Sequence, residues 1–451
     1  MAIHVFDWKI YGRDYGSKEI RGIWDEPAIV QDWLDVEVAL AEVQAEMGMI
    51  PKKAAKEIKA KGSLKHIKLE RIAEIYSKTM LASVAMTRAF KEVCEGDAGE
   101  YIHYGATTQD IFDSSLALRM KRSLDIFEAD LVAIRKELNK LAKKYKRAYM
   151  PGHTHGQQAI PITFGYNAAI WSEMVAGHIE RLRQARPRII VGSMCAAAGN
   201  LASFKLLFGD NVWEMQKRVL DKLGLNTPKI NIQPCNERIN EYLYLLAQIS
   251  TTFEKIADDI FFQQRNELSQ LEEPFDTEHQ ICSSTMPQKR NPVRCEIIKA
   301  LAKKLRSNAS GFAELFMRDL RDYSAFILED LCMPESSILA DTMLKMAKYV
   351  FAGLDVRTDN MRKQLDATEG LIMSEPLALL LSEKTGKKDT AMRLMHKAAM
   401  EAFEKGIPYY EYVLQLPEIA KYMTKQELEA AFNPENYIGL NDFLIEQVTK
   451  K

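Results

Sequence analysis

The sequence predicts an all-α protein of three helical domains, in which the middle domain is built from very long helices. Two runs of apolar residues support this prediction, because each repeats at a helical spacing over a long stretch of chain. The first run is Leu116, Met120, Leu124, Phe127, Leu131, Ile134, Leu138 and Leu141, and the second is Ile239, Tyr242, Leu246, Ile249, Phe253, Ile256 and Ile260. They indicate helices of about 30–35 residues, well above the usual mean of about 11–12. One chain cannot easily bury such helices, so we expect subunits to associate through them.

Shorter helices are expected before the first long one. Asp25 and Pro27 are typical of a helix start, and an amphipathic repeat follows them. A second helix is expected from about Pro51, and a third over residues 69–94. We assign this N-terminal helical domain to residues 1–107.

The long helices are expected to occupy residues 108–358, as the central bundle domain. Beyond them, in residues 359–451, Gly386, Gly406, Pro417 and Pro434 divide the chain into shorter segments. Such breaks indicate a separate C-terminal helical domain of ordinary size.

The composition excludes several classes of protein. The chain has 61 Lys and Arg against 62 Asp and Glu, a net charge of −1 that gives no support for binding to nucleic acid or to an acidic membrane. No apolar run reaches the roughly 18 residues that a membrane helix needs. The six cysteines have no C-x-x-C pair and no zinc spacing, so we interpret them as reduced thiols of a cytoplasmic protein.

A short polar segment, residues 103–108, precedes the first long helix and is called the threonine loop below. Thr107, Thr108 and Asp110 are expected at the start of that helix. Side-chain oxygens there cap backbone N–H groups, and the helix dipole favours an anion. From these residues alone, a plain helix cap and a carboxylate-binding site both fit.

Two histidines, His153 and His155, follow the first long helix in a segment bounded by glycines. Two histidines one residue apart could bind a metal, but no acidic or thiol ligand lies nearby in the sequence, so we predict no zinc site. A loop histidine is commonly a plain surface residue. Because imidazole titrates near neutral pH, it also suits proton donation.

The most distinctive segment is residues 281–292, called the serine loop below. Ser283 and Ser284 are followed by Lys289 and Asn291, and two prolines keep the segment out of the flanking helices. A hydroxyl beside a fixed ammonium and a helix N-terminus lies in a field that favours its oxyanion, and the lysine and asparagine could hold a carboxylate. The alternative is a polar loop between two helices.

The three segments resemble, in chain order, the three signature motifs of the fumarase/aspartase superfamily. The serine loop, which ends in Lys289-Arg290-Asn291-Pro292, is similar to the loop of the branch that contains adenylosuccinate lyase and 3-carboxymuconate cycloisomerase. The chain departs from the family at Cys282, where a glycine is usual. This departure bears on the flexibility of the loop's first turn.

The resemblance implies an anti β-elimination that needs no metal or organic cofactor. A base removes a proton beside a carboxylate, the charge spreads into an aci-carboxylate, and a bond to the next carbon breaks. The implied partner is a small dicarboxylate or succinylated substrate. The resemblance also implies a homotetramer around a central helical bundle, with each active site shared between subunits.

The resemblance also gives each motif residue a role. We expect Ser283 to be the base, His155 the acid that protonates the leaving group, and Lys289 the cation that stabilises the aci-carboxylate together with Asn291. The other expected substrate contacts are Thr107, Thr108, Thr154, Ser284 and Met286.

Three places that are charged in adenylosuccinate lyases differ here. Asp14 replaces an arginine, Ala82 and Ser83 replace a His-Asp pair, and residues 326–330 contain no arginine. Each charge-assisted hydrogen bond contributes about 1.5–3 kcal/mol, so these losses argue against tight binding of a nucleotide. We expect release of fumarate from a succinylated compound, with adenylosuccinate retained as an alternative.

Two other functions stay open on the sequence alone. Residues 105–110 look more like a 3-carboxy-cis,cis-muconate cycloisomerase, whereas Thr154-His155-Gly156 is more typical of the lyases that release fumarate. A catalytically inert homologue, such as the lens proteins of this superfamily, is the second alternative. The presence of Ser283, His155 and Lys289 argues against it.

Overall fold

The computed structural model describes residues 4–315 and 323–450, and within them the fold is all-α with 19 α-helices and four short strands. Long helices dominate the middle of the chain, and the first of them has 37 residues. The long helices are Thr108–Lys144, Phe164–Ile189, Glu237–Gln263, Val293–Ala313 and Ser324–Ala352.

Shorter helices make up most of the rest. Before the long helices lie Lys18–Trp24, Glu26–Glu46, Lys52–Lys61, Leu69–Thr79 and Ala82–Val93, and between them lie Ala202–Phe208 and Val212–Leu223. After them come Thr358–Asp366, Ser374–Thr385, Lys388–Lys405, Tyr409–Leu414, Pro417–Ala420, Lys425–Phe432 and Asn441–Thr449. The strands form two antiparallel pairs, Tyr149–Thr154 with Gln157–Thr163 and Leu271–Glu272 with Asp355–Val356.

The chain forms two compact units, each drawn from several stretches of sequence. The first unit contains Met1–Asp130, His178–Thr251 and Ala300–Lys345. The second contains Leu131–Gly177, Thr252–Lys299 and Met346–Lys451. The domain boundaries expected after residues 107 and 358 stay a prediction.

The two predicted apolar runs form the buried faces of their helices. Every residue of both runs is buried, including Phe127 and Phe253 at the middle of each. The helical spacing therefore identified the core-facing side correctly.

One helix expected over residues 69–94 is instead two helices, Leu69–Thr79 and Ala82–Val93. Met80 ends the first helix in the left-handed conformation, with φ of 54°, and its N–H donates to the carbonyl oxygen of Tyr76. A methionine gives no sequence signal for such an end, because glycine or asparagine normally occupies this conformation.

Glu329, on the helix that starts at Ser324, interacts with several charged residues of the first unit. Asp113 and Arg238 are both buried, with Asp113 Oδ1 lying 3.5 Å from Arg238 Nη2. Burial raises the pKa of Glu329 to about 8; the charges of Asp113 and Asp330 add to the rise, whereas Arg238 and Arg119 oppose it. Glu329 is therefore largely protonated at neutral pH, in the segment that lacks the arginine of adenylosuccinate lyases.

No helix in the described ranges, 4–315 and 323–450, is both long enough and apolar enough to cross a membrane.

The raised pKa of Glu329 predicts a specific pH dependence of stability. The stability that protonation gives is fully present below the ordinary pKa of 4.5 and is lost as the pH rises through about 8. We expect the Tm to fall between about pH 5.5 and 8 in the wild type, and to fall less in Glu329→Gln, whose side chain stays neutral. Scanning calorimetry across this range measures the difference.

Glu335→Gln is the matched control, because Glu335 lies on the same helix. Burial tends to raise the pKa of Glu335, but its ion pair with Lys304 lowers it overall, so this residue does not titrate in the tested range. Equal slopes of Tm against pH in the wild type and in Glu329→Gln would contradict the prediction.

Candidate active site

The threonine loop is fixed through its backbone by three side chains of the first unit. The carboxylate of Glu37, with 1% of its surface exposed, accepts the backbone N–H of His103 at 3.0 Å and lies 2.6 Å from His103 Nδ1. Gln44 Nε2 donates to the carbonyl oxygen of Tyr104 at 2.9 Å, and Ser203 Oγ donates to that of Gly105 at 2.6 Å. The loop is therefore rigid before any ligand binds.

Asp110 fixes the end of the threonine loop. Its fully buried carboxylate accepts the N–H of Thr107 at 3.0 Å, that of Cys195 at 2.6 Å and that of Ala196 at 3.0 Å, and it also accepts the hydroxyl of Ser193 at 3.3 Å. All these bonds lie within the first unit, so Asp110 acts as a structural tie and has no lone pair facing a ligand.

The hydroxyl of Thr108 also has a defined partner. Ser83 Oγ lies 2.8 Å from Thr108 Oγ1, and only 2% of the surface of Ser83 is exposed. Thr107 and Thr108 are half-buried at the N-terminus of the 37-residue helix. The position therefore combines hydroxyl groups with the positive end of a long helix, which suits a carboxylate.

His155 occupies a tight turn that the sequence analysis did not predict. Thr154 pairs with Gln157 at the end of two antiparallel strands, so His155 and Gly156 form a two-residue connection. Their φ angles are 52° and 77°, as a type I′ turn requires. The histidine side chain is exposed, and no described residue forms a hydrogen bond or ion pair with it. A non-glycine residue is uncommon in this conformation, which the turn geometry requires here.

The two ends of the serine loop are joined by hydrogen bonds. Asn291 Nδ2 donates to the carbonyl oxygen of Cys282 at 2.7 Å, and Cys282 Sγ lies 3.7 Å from the carbonyl oxygen of Asn291. Gln280 Nε2 lies 3.3 Å from the same sulfur. Cys282, which replaces the usual glycine, thus helps to close the loop through its side chain.

The loop places backbone N–H groups on the oxygen of Ser283. Ser283 Oγ accepts the N–H of Met286 at 3.0 Å and that of Thr285 at 3.4 Å, and the side chain is half-buried. Ser284 and Met286 are exposed on the same loop. N–H donors aimed at a hydroxyl oxygen stabilise its anionic form more than its neutral form.

Lys289 faces a large cavity in the second unit. The cavity has a volume of about 1070 Å³ and is lined by residues 286–292 together with the strand residue Glu272 and others. Lys289 is exposed, and its ammonium forms no ion pair with any residue in the described ranges. It is therefore free to meet an anionic ligand.

Two neighbouring acids hold the end of the serine loop. Glu272 Oε1 lies 2.9 Å from Arg290 Nη1. The buried carboxylate of Glu273 accepts the N–H groups of Arg294 and Cys295 at 3.2 and 3.1 Å, and so caps the helix that follows the loop. Neither acid was singled out in the sequence, because a cap supplied from 21 or 22 residues away has no local signal.

The predicted site residues fall into two groups. Thr107 and Thr108 lie in the first unit, whereas Thr154, His155 and the residues of the serine loop lie in the second. No hydrogen bond or ion pair of the described part of the chain joins the histidine turn to the serine loop. The sequence did not predict that Glu37, Gln44 and Ser203 support the threonine loop. Ser83 was noted only as an uncharged residue in place of an aspartate.

Two family models cover most of the chain. A model described as lyase matches residues 14–306, and one described as the C-terminus of adenylosuccinate lyase matches residues 370–448. The first alone covers more than half of the 451 residues.

Full-length relatives and solved structures agree with these matches. The chain is 40% identical to an adenylosuccinate lyase of Pyrococcus abyssi, over 99% of this chain and 97% of that protein. It is 34% identical to an N-acetyl-S-(2-succino)cysteine lyase of Dickeya dadantii, over 100% of this chain and 98% of that protein. A fumarate lyase from a Mesorhizobium species is similar in structure, with a TM-score of 0.89, 30% identity and coverage of 98% and 99% of the two chains.

A second solved structure belongs to the other enzyme class considered from the sequence. The β-carboxy-cis,cis-muconate cycloisomerase of Acinetobacter calcoaceticus has a TM-score of 0.88 at 25% identity, over 98% of this chain and 99% of that one. The order of the three motifs, the all-α fold, the family models and the relatives lead to one conclusion: the chain belongs to the fumarase/aspartase superfamily of lyases.

Proposed function

We propose that this lyase releases fumarate from a succinylated compound by anti β-elimination. The observation that carries the proposal is the geometry of the serine loop, in which a hydroxyl oxygen accepts two backbone N–H groups and an unpaired ammonium stands on the same loop. Relatives named for adenylosuccinate and for a succinylated cysteine support the same chemistry. The bond that breaks would join the succinyl group to nitrogen, oxygen or sulfur.

Ser283 is the proposed base. Elimination requires it to take a proton from the carbon beside a carboxylate, so its alkoxide must be accessible at an acceptable cost. The N–H groups of Thr285 and Met286 already point at Oγ and need no rearrangement to stabilise negative charge there. They act together with the ammonium of Lys289 and the positive end of the helix that starts at Val293.

Lys289 and Asn291 are the proposed stabilisers of the aci-carboxylate. The ammonium of Lys289 supplies the positive charge that two negative oxygens require. Asn291 has a double role, because one of its two N–H groups already closes the loop on Cys282. The second N–H is left for the substrate.

His155 is the proposed acid for the leaving group. Its exposed ring stands at the tip of a two-residue turn, where the strand pair holds the backbone and leaves the imidazole open to a substrate. Thr154, next to it, and Ser284 and Met286 on the serine loop are the proposed further substrate contacts. No metal or organic cofactor has a part in this scheme.

Thr107 and Thr108 are the proposed ligands of a substrate carboxylate. Their hydroxyls stand at the N-terminus of a 37-residue helix, where the first N–H groups lack intrahelical partners. The loop before them is held at several points, so little conformational entropy is lost when a ligand binds.

We further propose a homotetramer with active sites shared between subunits, in the cytoplasm. Four of the long helices carry exposed large apolar side chains, which a partner helix would bury. They are Val132, Ile170, Tyr244, Phe262, Ile327, Leu331 and Tyr349. Contacts of this kind between helices of different subunits would bury these residues and bring the three motifs together.

The proposed substrate has a small leaving half without a phosphate. Arg21, a candidate substitute for the missing phosphate ligands, donates to the backbone carbonyls of Phe6, Gly12 and Tyr15 and is therefore already used. Glu329, in the segment where adenylosuccinate lyases have an arginine, is an acid. Asp14 and residues 326–330 therefore lack the arginines that adenylosuccinate lyases have at these places.

Adenylosuccinate itself is the second candidate substrate. The names of the relatives at about 40% identity and the C-terminal family model favour it. The relatives named for N-acetyl-S-(2-succino)cysteine, at 34% and 35% identity, favour the small substrate. A cycloisomerase has support from the likeness of residues 105–110 and from one similar structure at 25% identity.

Ser283→Ala and His155→Ala should each be inactive alone and should complement each other when mixed. Loss of an essential acid or base costs at least about 10²-fold in kcat. If a shared site draws the two residues from different chains, subunit exchange restores some sites that contain both. Fumarate absorbance after exchange measures this recovery.

Mass determination must accompany this experiment, to show that hybrid tetramers have formed. Ser310→Ala is the matched serine variant and should keep full activity, because Ser310 is an exposed serine of the helix that follows the serine loop. Ser283→Ala that retains more than about a tenth of wild-type kcat would remove Ser283 from the role of base. Hybrids without recovered activity would show that both residues come from one subunit.

The small-substrate proposal predicts a ranking of kcat/KM. S-(2-succino)cysteine, its N-acetyl form and small succinyl amines should be turned over with at least about tenfold higher kcat/KM than adenylosuccinate, because Asp14, Ala82, Ser83 and residues 326–330 replace charged residues of adenylosuccinate lyases. If kcat/KM for adenylosuccinate is about 10⁴ M⁻¹s⁻¹ or more and exceeds kcat/KM for every small compound, the nucleotide is the substrate.

A further inference from the structure

The supports of the threonine loop differ in what they hold. Glu37, Gln44 and Ser203 bind backbone atoms of residues 103–105. Ser83 instead reaches a side chain, the hydroxyl of Thr108, at 2.8 Å. Within the described part of the chain, neither of these two hydroxyls makes another hydrogen bond.

The position of the Thr108 hydroxyl is fixed on both sides. Thr108 is the first residue of its helix, and the N–H of the preceding residue is tied to Asp110 at 3.0 Å. A β-branched side chain on a fixed backbone has little freedom at χ1. What stays undetermined is which of the two oxygens, Ser83 Oγ or Thr108 Oγ1, donates the shared proton.

Binding of a carboxylate would remove this ambiguity. A carboxylate can only accept hydrogen bonds, and a hydroxyl has one proton to donate. When Thr108 donates to a carboxylate, the hydrogen bond between the two hydroxyls persists only if Ser83 is its donor. The two bonds then run in one direction and polarise each other.

We propose that Ser83 is a positioning residue for carboxylate binding: it donates its proton to Thr108 Oγ1 and so directs the Thr108 proton towards the substrate. This inference rests on the proposed function, in which Thr108 binds a substrate carboxylate. Ser83 stands at the place of an aspartate in the adenylosuccinate lyases that the chain resembles, and an ionised aspartate could not donate.

The test uses Ser83→Ala with succinate, a dicarboxylate that has no leaving group and reports binding alone. Loss of the donated bond should raise the Kd for succinate and the KM for substrate by roughly three- to tenfold, with kcat changed less than about twofold. Ser250→Ala is the matched control, because Ser250 is also a buried serine of the first unit and donates to the carbonyl oxygen of Ala247 at 2.7 Å. It should leave Kd and KM unchanged.

A double-mutant cycle with Thr108→Val separates positioning from a merely structural role. In the Thr108→Val background, Ser83→Ala should change the Kd for succinate by less than about twofold, because the hydroxyl that Ser83 directs is gone. An equal effect of Ser83→Ala in both backgrounds, or no effect in the wild type, would overturn the inference. If Thr108→Val itself binds succinate normally, the placement of Thr108 in the proposed site is wrong, and the inference falls with it.

Discussion

The hydrogen bond from Asn291 to the carbonyl oxygen of Cys282 is the interaction on which the serine loop depends. It joins the residue before Ser283 to the residue that follows Lys289 and Arg290, so the whole loop becomes a closed ring. Within this ring, the N–H of Met286 donates to Ser283 Oγ without help from a ligand. The asparagine expected from the sequence to hold substrate is therefore first of all the tie that gives the loop its shape.

The threonine loop is also held in its shape by hydrogen bonds within the protein, although from different residues. Side chains satisfy its backbone groups, and Asp110 is saturated by N–H and O–H donors. In both loops, a group that the proposed reaction needs has no hydrogen-bond or ion-pair partner in the described part of the chain: the hydroxyl of Thr107 and the ammonium of Lys289. Support of this kind holds reacting groups in place and leaves little reorganisation for the transition state.

Much of the fold follows from local sequence, whereas the supports of the site do not. The apolar runs around Phe127 and Phe253 identified long helices because their period persists over many turns. The strand pair around His155 was missed, since its turn is formed by a histidine and a glycine without a longer alternating pattern. Ser83 and Thr108 are 25 residues apart, and nothing near either residue predicts their contact.

The central claim, that Ser283 removes the proton beside a carboxylate bound by Lys289, is tested most directly by a crystal structure of His155→Ala with a bound succinyl compound. We expect Ser283 Oγ within about 3–3.5 Å of the carbon that loses the proton, as reacting atoms require. We also expect Lys289 Nζ on the adjacent carboxylate. A Ser283 oxygen more than about 6 Å from that carbon, with the serine loop closed and ordered, lies well outside this reach and would exclude Ser283 as the base.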